Sequence, residues 1–135
     1  MHKTEIMALA KAHCNFQKWK YKEGEDVIYT GFCVIPRGEQ YRTTILIRDD
    51  GLLVYVYVPR TENCMRNEKF ESLICRLNEG LVNGNFECVK NSPLVRYKVY
   101  MNCVGLGDRF GDVLQESIEL AIKMVLLKQE LIVKT

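Results

Sequence analysis

The segment from Ile74 to Gly105 constrains the fold of this chain more than any other stretch. Its residue pattern predicts the end of an amphipathic helix, an Asn-Gly-Asn segment that terminates the helix, a short strand, a turn and a long strand. In the long strand, from Val95 to Cys103, apolar and polar residues alternate, as they do in a strand half-buried against a core. A helix followed by two such strands predicts a domain that mixes helices with a sheet.

The rest of the chain predicts two further helices and a three-strand antiparallel meander. Helical spacing predicts helices at 3–21, at 67–82 and from about 108 or 112 to 133, whereas alternation predicts strands at 27–35, 41–48, 52–58, 86–89 and 95–103. Pro36-Arg37-Gly38-Glu39 and Asp49-Asp50-Gly51 supply turns. The expected fold is α+β, in the order α-β-β-β-α-β-β-α, with one mainly antiparallel five-strand sheet packed with helices. No linker-like stretch appears, so residues 1–135 are expected to form a single domain.

Two helix ends carry recognisable signals. Asn83-Gly84 accepts the left-handed conformation that closes many helices, so it is expected to close the second helix. Asp112 and Gln115 have the spacing of a capping box at the start of the third helix. That helix is apolar over more than one stripe, so it is either sandwiched within the fold or partly covered by a second subunit.

Composition narrows the class of protein. A formal net charge of +2 is too small to indicate nucleic acid or an anionic membrane as a partner. The six cysteines include no C-x-x-C pair, and only two histidines occur, so we expect reduced core cysteines rather than a zinc site or a disulfide framework. No secretory signal and no apolar run near the ~20 residues of a membrane span is visible, and a cytoplasmic location is expected.

The arrangement of polar residues does not predict catalysis. His13 lies on the apolar side of the first helix, which is typical of a core or boundary histidine rather than a general base. Glu23, Glu25 and Asp26 lack the spacing and the turn glycine of a calcium loop. Gly105-Leu106-Gly107 lacks the ending of a phosphate loop. We therefore expect no enzyme, no cofactor and no metal, and keep a cysteine nucleophile only as a third alternative.

One motif points to a family. The pattern L-N-x-x-L-x-N-G-x-F-E from Leu77 to Glu87, with V-R-Y further on and the order of the elements, resembles the YbjN family of bacterial sensory transduction regulators. Their domains share the fold of type III secretion chaperones. The resemblance implies a small, often dimeric, non-enzymatic domain that binds other proteins. It also implies that Asn78 and Gly84 are helix-end and turn residues and that Phe86 is a core anchor.

The third predicted strand offers the best candidate for a functional surface. Every second residue of 52–58 suits the face that packs on helices, and the opposite face is apolar and aromatic instead of polar. The residues assigned to this second face are Leu46, Leu53, Tyr55, Tyr57 and Tyr100. Either one of the chain's own helices covers the face, or it is a protein-binding or dimer surface.

The leading hypothesis is a non-enzymatic cytoplasmic protein-binding module, a regulator, adaptor or chaperone-like protein, that acts as a homodimer. The alternative is a small-molecule or nucleic-acid sensor that uses the tyrosine-bearing face. Lys18, Lys20 and Lys22 form a small basic patch, but the acidic run at 23–26 is expected to neutralise it, which disfavours nucleic acid. A membrane partner is not expected.

Overall fold

A computed structural model describes residues 1–35 and 38–134. Over these residues it has three α-helices and a six-stranded sheet, so the expected α+β class is confirmed. The helices are α1 (Lys3–Phe16), α2 (Glu68–Asn78) and α3 (Phe110–Val133). The strands are β1 (Lys22–Gly24), β2 (Val27–Val34), β3 (Glu39–Arg48), β4 (Gly51–Tyr57), β5 (Asn85–Cys88) and β6 (Val95–Asn102). They lie in the order β1-β2-β3-β4-β6-β5, and all neighbours are antiparallel.

The sheet has one strand more than the five expected, because the charged run after α1 forms β1. Lys22–Gly24 pairs with the start of β2 through a tight turn in which Asp26 has φ of +55°. Aspartate tolerates this left-handed conformation better than most residues do. A strand of three residues has no hydrophobic alternation, so the sequence predicts only a helix break at this point.

Two predicted helix ends are wrong by several residues. α1 ends at Phe16 instead of near residue 21, because Lys18 turns the chain with φ of +60°. α2 ends at Asn78 instead of near residue 82. The left-handed residue that follows α2 most closely is Gly80, with φ of +77°. Gly84, at φ of +83°, instead turns the chain into β5.

The capping box proposed for the third helix does not form. α3 begins at Phe110, directly after a short 3₁₀ turn, so Asp112 lies inside its first turn. The side chain of Gln115 bonds elsewhere: its Nε2 donates to Glu119 over 3.1 Å, and its Oε1 lies 2.9 Å from His13 Nε2. Of the predicted turns, the Asp49–Asp50 connection of β3 and β4 is confirmed. Pro36 and Arg37 of the other turn lie outside the described residues.

The helices and one face of the sheet share a single hydrophobic core. The fully buried residues of α1, α2 and α3 belong to the same cluster as alternate residues of β3, β4 and β6. The sheet residues with 0% exposure in this cluster are Ile28, Tyr41, Ile45, Ile47, Leu52, Val54, Val56 and Val95. We call this the inner face. The alternation predicted for 95–103 is confirmed, since the apolar residues Val95, Tyr97, Val99 and Met101 of β6 are all buried.

Among the described residues, none of the helices combines the length and the apolar character that crossing a bilayer requires.

Candidate protein-binding surface

The opposite side of the sheet, which we call the outer face, carries all five residues predicted for the functional surface. Strand register places Leu46, Leu53 and Tyr100 side by side on β3, β4 and β6, with Tyr55 and Tyr57 in the next rows. The sheet residues of the hydrophobic core all lie on the inner face, and so do the helices that bury them. Therefore, within residues 1–35 and 38–134, no helix covers the outer face.

An apolar row crosses four strands of the outer face. Val27 pairs with Leu46, Leu46 with Leu53, and Leu53 with Tyr100. With strands ~4.8 Å apart, this apolar row extends about 14 Å across the sheet. Val27 is buried, Leu46 and Leu53 are half-buried, and Tyr100 is 58% exposed. A continuous apolar row on a solvent-facing sheet surface is a feature of protein-binding sites.

Gly51 allows the ring of Tyr100 to lie flat on the sheet. A Cβ atom at Gly51 would be only 2.7 Å from Tyr100 Cζ, so the aromatic ring occupies the space that any side chain would need. The tyrosine at the end of the apolar row is therefore held by the neighbouring strand although its surface is accessible.

Arginine side chains cover the tyrosines in the middle of the outer face. The guanidinium of Arg96 lies 3.8 Å from the ring centroid of Tyr55, donates to Glu87 Oε1 over 2.7 Å and donates to Tyr57 Oη over 3.3 Å. Arg42 lies 5.2 Å from the ring centroid of Tyr57. Such cation–π contacts contribute roughly 0.5 to 2 kcal/mol each. Tyr55 is consequently 7% exposed, so it supports the surface from below instead of contacting a partner directly.

Charge is distributed unevenly between the two faces. The cations on the outer face are Lys22, Arg42, Arg48, Arg96 and Lys98, whereas the one acidic residue found there among the described strands is Glu87. Glu87 pairs with both Arg96, at 2.7 Å, and Lys98, at 3.2 Å. Burial disfavours the charge of Arg96, but its hydrogen bonds to Tyr57 and Glu87 raise the pKa of the guanidinium. The outer face is thus electropositive in a chain of nearly balanced charge.

The acidic run at 23–26 does not neutralise the neighbouring lysines as expected. Asp26 pairs with Lys3 over 2.8 Å and Glu23 pairs with Lys11 over 2.9 Å, so both carboxylates bind to α1. Lys22 points to the outer face beside Tyr29. The sequence signal for this electropositive face is the placement of cations along 42–48 and 96–98, which the small net charge conceals.

A small cavity opens on the outer face where the β5–β6 turn leans over β3 and β4. It has a volume of about 240 Å³, and its walls include Arg42, Tyr57 and Tyr29 on the sheet and Val89 and Leu94 on the turn. Ligand pockets for small molecules usually measure roughly 300 to 1,000 Å³. The cavity is therefore sized for a single side chain rather than for a metabolite.

The cysteines differ from the expectation of a set of core thiols. Cys14 and Cys103 are buried, and burial raises the pKa of each to about 11. Cys33 and Cys75 are exposed, and the other two are partly buried. A raised thiol pKa lowers the fraction of nucleophilic thiolate. No cluster of three or more histidine, cysteine, aspartate or glutamate side chains suited to a metal ion occurs in the described part of the chain.

Comparison with known proteins returned no match to a family model, to a curated protein or to a solved structure. The resemblance to the YbjN family consequently stays a prediction.

Proposed function

We propose that the chain is a non-enzymatic cytoplasmic protein-binding module, a regulator or adaptor of the YbjN type, whose binding surface is the outer face of the sheet. The observation that carries the proposal is the apolar row Val27–Leu46–Leu53–Tyr100, which crosses four strands on a face that no described helix covers. Protein-binding surfaces combine such an apolar centre with aromatic residues and arginines.

The tyrosine geometry favours this function over a nucleic-acid sensor that stacks bases on Tyr55 and Tyr57. Bases stack on free ring faces, but Tyr55 lies under Arg96 and Tyr57 is flanked by Arg42 and Arg96.

Site-directed variants of the apolar row test the proposal. Tyr100→Asp places a charge at an exposed position of the row, and Leu53→Asp places one near its centre. Phe16→Asp is the matched control, because Phe16 is 81% exposed at the end of α1, on the helix side. We expect the wild type and Phe16→Asp to capture the same partner from an extract of the native cell, and the row variants to lose at least nine-tenths of it. The proposal would be contradicted if circular dichroism shows that the row variants are folded and they still capture that partner.

We also propose that the protein is a homodimer and that α3, rather than the outer face, forms the contact. Two outer faces brought together would oppose their excess cations. A second stripe of α3, separate from its core-facing residues, has the alternating four- and three-residue spacing of helices that pair: Val113, Ser117, Leu120, Met124, Leu127. Most of this stripe is half-buried against the core, but Leu127 is 60% exposed.

Light scattering after gel filtration tests the dimer. The expected mass is twice the 15.7 kDa of the chain, and Leu127→Glu should reduce it to the single value. Leu9→Glu, which changes a residue that is 38% exposed on α1, should remain dimeric. A wild-type protein that stays monomeric up to the millimolar range would exclude the dimer without affecting the assignment of the outer face.

A further inference from the structure

We propose that the partner of the outer face is an acidic protein segment and that Arg42 receives one of its carboxylates. This inference rests on the proposed protein-binding function and adds the chemistry of the partner. Its basis is the charge on that face, where five cations face one carboxylate. Complementary charge of this kind selects partners and accelerates their association.

The cations of the outer face differ in whether they are already paired. Arg96 and Lys98 share Glu87. By contrast, Lys22, Arg42 and Arg48 form no ion pair with any carboxylate of residues 1–35 and 38–134. An arginine with an unoccupied guanidinium fork can bind a carboxylate through two parallel hydrogen bonds.

Arg42 is an unpaired arginine that also lines a recess. Its guanidinium lies over the ring of Tyr57, at 5.2 Å from the centroid, in the wall of the 240 Å³ cavity beneath the β5–β6 turn. At about 240 Å³ this cavity has room for one acidic side chain. Tyr29 and Thr44 also line the same cavity. The apolar row on the adjoining part of the face accommodates the apolar residues of the same segment.

Glu87 acts as an internal competitor for an acidic partner. Its carboxylate occupies Arg96 and Lys98, two of the five cations, from the edge strand β5. Replacing it with glutamine removes one negative charge and releases both cations. Acidic ligands should therefore bind more tightly to Glu87→Gln than to the wild type, a gain that a merely structural role of the ion pairs does not produce.

Nucleic acid fits the same charge less well. The cations flank an apolar row instead of following a groove, and the sequence pI of about 8.2 is below the value above 9 typical of nucleic-acid-binding domains. Oligonucleotide binding is accordingly an outcome that the test must include.

The test uses a ¹⁵N-labelled full chain and three probes in nuclear magnetic resonance titrations. The probes are a 12-residue peptide of glutamates interspersed with leucines, its analogue with glutamine in place of glutamate, and a 12-nucleotide oligo-dT. We expect the acidic peptide to shift amide resonances of the outer-face residues of β3, β4 and β6, and to bind at least tenfold more weakly to Arg42→Gln. The acidic peptide should bind severalfold more tightly to Glu87→Gln than to the wild type. Arg76→Gln, an exposed arginine in the last turn of α2, is the matched control and should not change the affinity.

The outcomes separate the two proposals. Equal binding of the glutamine analogue at the outer face would overturn the acidic specificity but leave the protein-binding function intact. Tighter binding of oligo-dT than of the acidic peptide would overturn both. The inference would be refuted if Arg42→Gln binds the acidic peptide as tightly as the wild type does. It would also be refuted if no peptide shifts the outer-face resonances of the wild type. The capture assay with Tyr100→Asp tests the protein-binding function independently.

Discussion

Replacing Asn78 with alanine should destabilise the protein by detaching the edge strand β5 from the end of α2. The side-chain amide of Asn78, the last residue of α2, bonds to both backbone groups of Phe86: Nδ2 donates to the carbonyl over 2.8 Å, and Oδ1 accepts from the N–H over 2.6 Å. The carbonyl also accepts from Asn85 Nδ2 over 3.2 Å. Phe86 lies opposite Tyr97 of β6, but its N–H and C=O point away from β6. Asn78 thus takes the place of a further strand and covers a sheet edge that would otherwise be open.

The magnitude follows from these two bonds. Each contributes about 1 kcal/mol net, and leaving the partly buried N–H of Phe86 without a partner adds a further desolvation cost, whereas the carbonyl keeps its bond from Asn85. The better helix propensity of alanine offsets at most about 0.5 kcal/mol. We therefore expect Asn78→Ala to lower the free energy of unfolding by about 2 to 3 kcal/mol, out of the 5 to 15 kcal/mol typical of a domain. The corresponding fall in melting temperature is about 10 °C.

Urea unfolding monitored by Trp19 fluorescence and by far-ultraviolet circular dichroism measures this loss. Trp19, the single tryptophan, packs edge-on against His13 and Phe32 and so reports on the far end of the sheet. Asn83→Ala is the control, because Asn83 is exposed and contributes only its backbone carbonyl to the hydroxyl of Tyr97. If the free energy of unfolding of Asn78→Ala lies within 0.5 kcal/mol of that of Asn83→Ala, the Asn78 amide does not hold β5 and the prediction is refuted.

Three further predictions concern glycine conformation, thiol accessibility and thiol ionisation. Gly84→Ala should lower the free energy of unfolding by more than 2 kcal/mol, since a Cβ at this left-handed position would lie 2.5 Å from the carbonyl oxygen of Lys98. Gly80 also has a positive φ but has open space around it, so Gly80→Ala should lower the free energy of unfolding by only about 1 kcal/mol. Equal urea midpoints for the two variants would contradict this prediction. Ellman's reagent should modify Cys33 and Cys75 quickly and Cys14 and Cys103 only after unfolding. Burial raises the pKa of Cys14 and Cys103 from 9.0 to about 11. The contribution of these two thiols to stability should therefore be full below pH 9 and fall between pH 9 and 11, because the thiols ionise in the unfolded chain and stay neutral in the folded one. The fall is at most about 1.4 kcal/mol per pH unit for each thiol, and a Cys14→Ala/Cys103→Ala protein that loses stability just as steeply would show that other groups cause it.

Elements with strong periodicity were predictable from the sequence, and elements without it were not. The alternation of 95–103 identified β6 and both of its faces, because the side-chain period of a strand is two. β1 carries two charged residues and a glycine, so only pairing with β2 makes it a strand. The predicted end of α2 is wrong for a similar reason. The apolar spacing continues to residue 82, but the hydrogen bonds between the Asn78 side chain and the backbone of Phe86 end the helix earlier.

The sequence by itself determined the α+β class, the meander and the assignment of Leu46, Leu53, Tyr55, Tyr57 and Tyr100 to one face, since these follow from local periodicity. Only the tertiary structure decided how accessible and how charged that face is. Strand register brings Arg96 over Tyr55 and gathers cations from three strands, while Glu23 and Asp26 turn towards α1. The physical reason is that burial and ion pairing depend on residues far apart in the chain, and periodicity records only which side of a strand each residue occupies.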